Sequence, residues 1–208
     1  MTSINDKVNK EEEGEGQEEA PQSLGEIFGM EPKKEIRTMA LFGDVDEEKS
    51  LDLIVGMLTL TEFSEKEAPY DPIKFYISTY GGSADEMFSI YDMMSLIKAQ
   101  CEIHTIGLGK VMSAGTLLLA SGTKGKRKIG RHCRVMIHAV AAGSQGELHA
   151  MENEIKSIKH TQELYINALA RETQMTKRTI QKLLDRRVNV YLTADEAVEY
   201  GIADEIIN

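Results

Sequence analysis

The feature that most constrains this chain is the alternation of short apolar runs with longer stretches of helical periodicity. Four apolar runs have the length of a buried strand: Thr38–Gly43, Ile73–Ser78, Ile103–Gly107 and Arg134–His138. Apolar residues with a helical period follow the first three runs, at about 46–63, 83–98 and 116–120. Strands and helices that alternate in this way are typical of an α/β fold with covered sheets. We therefore predict an α/β domain, with a proline-punctuated loop over Ser64–Pro72.

The longest predicted helix covers residues 147–172. Its stripe repeats at steps of three and four residues and consists of Leu148, Met151, Ile155, Ile158, Gln162, Tyr165 and Leu169. Because this stripe is apolar with one exception, the helix either crosses its own core or reaches a second subunit. Shorter helices are predicted from Thr176 to about Asp185 and over Thr193–Tyr200.

The N-terminal segment is strongly acidic. Residues 1–22 carry seven carboxylates against two lysines, in a chain whose formal net charge is −10 at pH 7. Since the segment has almost no large apolar residues, it cannot offset the entropy of ordering, and we predict an acidic disordered tail and junction over residues 1–35. The folded domain is predicted to span residues 36–208. The tail serves either solubility or interaction and processing, and the sequence leaves both open.

Composition excludes several function classes. The acidic net charge argues against nucleic acid, whose binders carry a basic face. No apolar run approaches the roughly 18 residues of a membrane span, and no export signal precedes the domain, so we expect a cytoplasmic protein without a membrane partner. Cys101 and Cys133 are expected to be small buried residues rather than a disulfide. The five histidines are scattered, so we expect no metal and no cofactor.

Two glycine-containing turns follow predicted strands and indicate possible chemistry. Ser113 precedes an apolar helix, where its hydroxyl would be exposed beside free helix N–H groups that can hold an oxyanion. Gly81 and Gly82 end the neighbouring strand and allow a second backbone N–H to approach the same point. Each residue also has a structural interpretation, because Ser113 can be a helix cap, the glycines a simple turn, and His138 a structural end to its strand.

Seven segments together resemble one family. They are Ile77–Gly82 (ISTYGG), Ile90–Asp92 (IYD), Ser113-Ala114-Gly115 with Leu118-Leu119-Ala120, Gly122–Arg127 (GTKGKR), Arg134–His138 (RVMIH), Gln145-Gly146 and Glu196–Gly201 (EAVEYG). In this order they resemble the proteolytic subunits of Clp proteases, over about Thr38 to Ile207. The resemblance implies a Clp protease/crotonase-like fold of repeated strand-strand-helix units, in which residues 147–172 form a protruding handle helix.

The resemblance also implies an active site. It makes Ser113 the nucleophile of a serine peptidase and His138 its base, with the backbone N–H groups of Gly82 and Ala114 as oxyanion donors. It implies substrate contacts at Gly81, Ser83, Gly143, Gln145 and Gly146, where the segment Ala141–Gly146 resembles the strand that aligns an extended substrate. It further implies two stacked heptameric rings, a tetradecamer, fed with unfolded polypeptides by a AAA+ unfoldase. The subunit itself would need no metal or nucleotide.

The sequence departs from the family pattern at the third catalytic position. The family has an Asp two residues before the aromatic-Leu pair, and the matching residue here is Asn189. Asn can orient the imidazole through its oxygen but cannot stabilise the imidazolium by charge. Asp185 is a possible substitute on the preceding helix. Smaller departures are Tyr80 and Val140 in place of prolines, a longer loop at Ala99–Glu102, and Arg187-Val188 in place of an acidic-Arg pair linked to ring–ring contact.

These observations leave four hypotheses about function. The first is an active serine endopeptidase that forms the proteolytic ring. The second, which Asn189 favours, is a catalytically weak or inactive ring subunit that regulates a mixed assembly with related Clp subunits. The third is a crotonase-type acyl-CoA enzyme, which shares the architecture but needs no serine and histidine in these places. The fourth is a binding module acting through the acidic tail, which is compatible with any of the others.

Overall fold

A computed structural model of the chain describes residues 36–62, 68–143 and 145–208. The predicted tail lies outside the described residues, so its disorder and the domain boundary stay predictions. In order along the described chain, the elements are β1 Thr38–Val45, α1 Glu47–Leu60, β2 Tyr70–Gly82, α2 Ala84–Ile97, β3 Cys101–Met112, α3 Ala114–Ala120, β4 Lys128–Gly130, β5 Arg134–Ile137, α4 Leu148–Glu172, α5 Lys177–Leu184, β6 Val190–Leu192, α6 Ala194–Glu199 and β7 Glu205–Ile207.

These strands form one mostly parallel sheet. Its main path has the order β1-β2-β3-β4-β7, and β5 pairs with β3 beyond the end of β4. Every pairing is parallel except that of β5 with β6, which is antiparallel. Parallel neighbours need a crossover connection, and the helices between consecutive strands supply it. The predicted α/β class is confirmed.

Four of the six helices in the described chain begin at a residue whose side chain caps them. Asp46 accepts the N–H of Lys49 at 2.9 Å at the start of α1, and Thr193 forms a capping box with Glu196 at the start of α6. Such caps satisfy backbone donors that have no partner inside the helix. The first helix was expected to continue to Phe63; it ends at Leu60, and Phe63 lies outside the described residues.

Three strands extend beyond their predicted limits, and β1 does so by two residues, to Val45. β2 already begins at Tyr70, within the segment expected to be a loop up to Pro72. β3 continues to Met112 instead of ending at Gly107. The extension of β3 results from pairing with a distant strand, since residues 110–112 pair in register with residues 134–136 of β5. The local sequence does not reveal this pairing. Between Ile77 and Thr79 the β2–β3 register shifts, which accommodates the glycine-rich part of β3.

The sheet has one buried face and one partly open face. On β2 the side chains of Ile73, Phe75 and Ile77 are fully buried in the core, while alternate residues on the other face reach 65% exposure at Tyr80. On the neighbouring β1, Phe42 is 54% exposed. Parallel sheets in proteins are normally covered on both faces. Among the described residues, this face therefore carries exposed large apolar side chains, at Phe42 and Tyr80, and no helix covers them.

The long helix α4 has two different halves. The outer part of the predicted stripe is exposed, at Leu148, Met151 and Ile155. The inner part, including Tyr165 and Leu169, is buried in the core. The first of the two predicted alternatives holds for the C-terminal half of the helix, which packs on the domain's own core. The N-terminal half presents an exposed apolar stripe that packs on no other element in the described part of the chain.

A buried charged network joins the C-terminal end of α4 to the rest of the domain. Arg127 is 4% exposed and donates to the carbonyls of Ala120, Glu172 and Gly201 and to the carboxylate of Asp204. Five donors in a planar fork suit arginine to this role, because one side chain can then satisfy several buried carbonyls and a carboxylate at once. The arginine of the GTKGKR segment therefore stabilises the domain rather than any surface site.

Candidate active site

Ser113 lies in the turn between β3 and α3. Its backbone has φ 54° and ψ −119°, and its side chain makes no capping hydrogen bond to α3. A positive φ is costly for any residue with a Cβ and is held only where the surrounding structure fixes it. The interpretation of Ser113 as an ordinary helix cap is therefore wrong, and its hydroxyl is free for another partner.

That partner is His138, the residue that follows β5. Its Nε2 lies 2.7 Å from Ser113 Oγ. Strand pairing brings the two together, because Met112 pairs with Met136 and the N–H of Ser113 donates to Met136 O at 2.8 Å. A serine within hydrogen-bond reach of an imidazole is the arrangement of an activated nucleophile and its base.

The glycine turn at the end of β2 approaches the serine closely. A Cβ built on Gly81 would lie 2.6 Å from Ser113 Cβ and 3.1 Å from its Oγ, so only glycine fits there. The N–H of Gly81 donates to Thr79 Oγ1 at 2.9 Å. Gly82 packs against the backbone of Val45, where a Cβ would meet the carbonyl oxygen at 2.2 Å.

The remaining residues of this turn have local structural roles. Ser83 Oγ accepts the N–H of Glu86 at 3.3 Å, which makes Ser83 the cap of α2. Ala114 is buried and opens α3. As the first residue of a helix it has a backbone N–H without an intrahelical acceptor, directly after the serine.

Asn189 directly precedes β6, and His138 directly follows β5. The last pair of the antiparallel ladder is Ile137 with Val190, so the register continued by one residue would set His138 opposite Asn189. Asn189 is exposed, and within the described residues it makes no hydrogen bond with His138. Asp185, the possible substitute, is the exposed C-cap of α5. The structure thus brings two of the three expected residues into contact, while the third makes no bond to either of them in the described part of the chain.

The predicted substrate strand is not formed in the single chain. Gly143, Gln145 and Gly146 lie in an exposed, irregular stretch between β5 and α4, and Ser144 is outside the described residues. The expected strand is not formed at residues 141–143 and 145–146, and no described strand pairs with them.

Two cation–aromatic pairs lie on the open sheet face near the serine. The Lys110 ammonium lies 4.6 Å from the Tyr80 ring, and the Arg134 guanidinium lies 4.8 Å from the Tyr191 ring. Tyr80 stands where the family pattern has proline. Such stacking fixes both side chains in orientation and contributes about 0.5–1 kcal/mol at exposed positions.

Other chemistry has no assembled site in the described part of the chain. Among residues 36–62, 68–143 and 145–208, no group of three or more His, Cys, Asp or Glu side chains is placed to hold a metal ion. Cys101 and Cys133 are both buried and unpaired, as expected, and burial raises the pKa of the Cys133 thiol to about 12. None of the described helices is both long and apolar enough to cross a membrane.

The model of the Clp protease family matches residues 30–208. The chain belongs to the Clp protease family, a family of peptidases. Its mostly parallel sheet with flanking helices fits the Clp protease/crotonase-like fold. The match favours the peptidase hypotheses over the acyl-CoA enzyme.

Sequence reasoning missed the residues that hold the serine in place. Tyr165 was counted only as a member of an apolar stripe, yet its hydroxyl donates to Ser113 O at 3.1 Å. Thr116 Oγ1 donates to Met136 O at 3.0 Å, which ties α3 to the strand that carries the histidine. The available signal was a hydroxyl-bearing side chain at a core position, since such a group needs a buried partner.

Proposed function

We propose that this chain is a serine endopeptidase in which Ser113 is the nucleophile and His138 its base. The observation that carries the proposal is the 2.7 Å contact between Ser113 Oγ and His138 Nε2, made by a serine held at positive φ. Positive φ presents the hydroxyl away from the helix that it precedes. A serine with only a structural role would need neither the contact with the imidazole nor the positive φ.

The reaction follows from this geometry as acyl transfer. Ser113 Oγ attacks the peptide carbonyl while its proton passes to His138 Nε2, and the carbonyl π electrons move onto oxygen. The backbone N–H groups of Gly82 and Ala114 would stabilise that oxyanion. When the intermediate collapses, His138 gives its proton to the leaving amine. A water molecule, deprotonated by the same imidazole, then attacks the serine ester; the ester bond breaks, and His138 returns the proton to Ser113 Oγ as the second product leaves.

Substrate binding by backbone pairing is supported by the stretch that precedes α4. Residues 139–143 and 145–147 have no strand partner among the described residues and lie directly after His138. An extended polypeptide can bind such a stretch by strand addition, in which the main chain supplies most contacts. We therefore assign Gly143, Gln145 and Gly146, with Gly81 and Ser83 on the opposite turn, to substrate binding. This mode suits unfolded polypeptides of many sequences.

The role proposed for Asn189 is to orient His138. The β5–β6 register, continued one residue past Ile137 and Val190, supports this role because it would set the Asn189 side chain opposite His138. Among the described residues the two side chains make no hydrogen bond. An amide supplies no negative charge for the imidazolium. The uncharged amide at position 189 favours the second candidate function, in which the chain is a weak or inactive ring subunit that modifies a mixed assembly.

Assembly into rings is supported by two surfaces of the described chain that expose large apolar side chains. One is the open sheet face with Phe42 and Tyr80, and the other is the outer stripe of α4 with Leu148, Met151 and Ile155. Burial of such residues against a partner would contribute about 25 cal/mol per Å² of apolar surface. We propose stacked heptameric rings, homomeric or mixed, in the cytoplasm. A AAA+ unfoldase would feed the chamber because folded proteins could not enter it.

Labelling of the purified protein with a fluorophosphonate tests the active-site proposal. The reagent forms a stable adduct only with an activated serine, and mass spectrometry of the digested protein identifies the modified residue. We expect one adduct, at Ser113, that is lost in Ser113→Ala and kept in Ser89→Ala, which removes an exposed hydroxyl elsewhere. Absence of an adduct in the assembled wild-type protein would favour the inactive subunit instead.

Sedimentation analysis tests the assembly proposal. Ile155→Glu places a charge on the exposed stripe of α4, whereas Ser157→Glu places the same charge on an exposed position of that helix outside the stripe. We expect Ile155→Glu to yield smaller particles than the wild type and Ser157→Glu to leave particle mass unchanged. Equal behaviour of the two variants would show that the stripe is not an assembly surface.

A further inference from the structure

A buried tyrosine hydroxyl connects the long helix α4 to the nucleophile turn. Tyr165 is 5% exposed, and it occupies a position in the stripe of α4 that an aliphatic residue could fill. Its hydroxyl donates to the backbone carbonyl of Ser113 at 3.1 Å, across 52 residues of sequence. Because a buried hydroxyl without a partner is costly, a tyrosine is favoured at this position only where the Ser113 carbonyl lies within hydrogen-bond distance.

The carbonyl in question belongs to a strained backbone. The N–H of Ser113 donates to Met136 O at 2.8 Å, and its carbonyl accepts both the N–H of Thr116 at 3.0 Å and the hydroxyl of Tyr165. The serine is therefore anchored on both sides of its positive φ. Strained conformations persist only where the surroundings fix them in this manner.

The same carbonyl shares a peptide group with the proposed oxyanion donor. Ser113 C=O and Ala114 N–H are the two ends of one planar trans unit and point in opposite directions. A bond that fixes the carbonyl direction therefore also fixes the direction of the Ala114 N–H, on the far side from Tyr165. Donation to the carbonyl oxygen also polarises the amide and strengthens its N–H as a donor.

We propose that Tyr165 is a positioning residue for the oxyanion site, acting through the Ser113–Ala114 peptide group. This inference rests on the proposed peptidase function. Tyr165 itself does not touch the substrate, since it lies on the buried side of the peptide. Its effect is on the stabilisation of the transition state, in which the oxyanion has formed, and not on ground-state binding.

The experiment compares two tyrosine-to-phenylalanine variants in hydrolysis of a fluorogenic peptide. Tyr165→Phe removes the hydroxyl beneath Ser113 and keeps the ring. Tyr91→Phe is the matched control, because Tyr91 is also buried but donates to the carboxylate of Glu172 at 3.0 Å, away from the serine. For Tyr165→Phe we expect kcat to fall about tenfold with KM unchanged, the size of one lost hydrogen bond expressed in the transition state.

Thermal melting and an inhibitor separate positioning from mere stability. A peptide boronate, whose tetrahedral adduct places an oxygen in the oxyanion site, should bind Tyr165→Phe about tenfold more weakly than the wild type, in step with kcat. Tyr91→Phe should keep the wild-type kcat and boronate affinity even if its melting temperature falls further than that of Tyr165→Phe.

The possible failures can be told apart. If wild-type protein and both variants hydrolyse the peptide with the same kcat, the positioning role of Tyr165 is wrong while the peptidase stands. If Tyr91→Phe and Tyr165→Phe lose activity equally and in proportion to melting temperature, Tyr165 has only a structural role. If the wild type neither hydrolyses the peptide nor takes up the fluorophosphonate, the proposed function is wrong and the positioning role is overturned with it.

Discussion

Substitution of Gly81 by alanine tests how closely the glycine turn determines the position of the nucleophile. The added Cβ would lie 2.6 Å from Ser113 Cβ and 3.0 Å from Met112 O. Carbon atoms in van der Waals contact are about 3.5–4.0 Å apart, so the serine must retreat by about 1 Å. A misplacement of that size near the reacting atoms can reduce the rate by about 100-fold.

The backbone conformation adds a separate cost to the same substitution. Gly81 has φ +105°, which an alanine adopts at an expense of about 1–3 kcal/mol. Gly43→Ala is the matched control, because Gly43 has φ +100° and open space around its Cβ position. The two variants impose similar strain, and only Gly81→Ala adds the collision with Ser113.

Peptide hydrolysis and thermal melting of the two variants provide the measurement. We expect both to melt below the wild type by similar amounts, and only Gly81→Ala to lose about 100-fold in kcat/KM. Fluorophosphonate labelling of Ser113 should slow in parallel. Wild-type kcat/KM in a folded Gly81→Ala protein would refute the reasoning, because the serine would then tolerate displacement or the turn would not hold it.

Two further predictions concern charge, one at position 189 near the imidazole and one at the carboxylate of Glu172. Asn189→Asp should raise kcat in peptide hydrolysis, because a carboxylate next to His138 would stabilise the imidazolium. An unchanged or lower kcat would show that residue 189 does not act on the imidazole. Burial alone would raise the pKa of Glu172, but its charged and hydrogen-bonding partners lower it. These partners are Lys124, whose ammonium lies 3.0 Å from the carboxylate, the charge of Lys98, and the hydroxyl of Tyr91. The stabilising contribution of Glu172 is therefore complete above the ordinary glutamate pKa of about 4.3 and is lost as pH falls through the lowered value. Melting temperatures measured from pH 7 downward should fall less steeply in Glu172→Gln than in the wild type, and parallel curves would contradict this assignment.

The elements of the fold could be predicted because their signals are local. The apolar run at Ile73–Ser78 and the stripe of α4 identify a strand and a helix by period alone. The strand ends could not be predicted in this way. The extension of β3 to Met112 depends on pairing with β5, and the glycines at 107 and 109 suggest a turn until that pairing is known. The three-residue strands β4, β6 and β7 are too short to show any period.

The candidate site was predicted in part by resemblance and in part not at all. Ser113 and His138 came from motifs, and the structure places their side chains in contact. The position of Asn189 depends on the β5–β6 register, which joins residues about 50 apart in sequence. The link from Tyr165 to the serine carbonyl depends on how α4 packs over the turn. The position of Asn189 and the hydrogen bond from Tyr165 both depend on tertiary structure, and local sequence periodicity carries no information about either.

Hydrolysis of a short fluorogenic peptide by purified wild-type protein and by Ser113→Ala tests the central claim most directly. A peptide that diffuses freely into any chamber needs no unfoldase, so the measurement reports on the site alone. The account predicts turnover by the wild type that disappears in Ser113→Ala, while both proteins form particles of the same mass. Turnover that survives in Ser113→Ala, or no turnover by assembled wild-type protein, would contradict it.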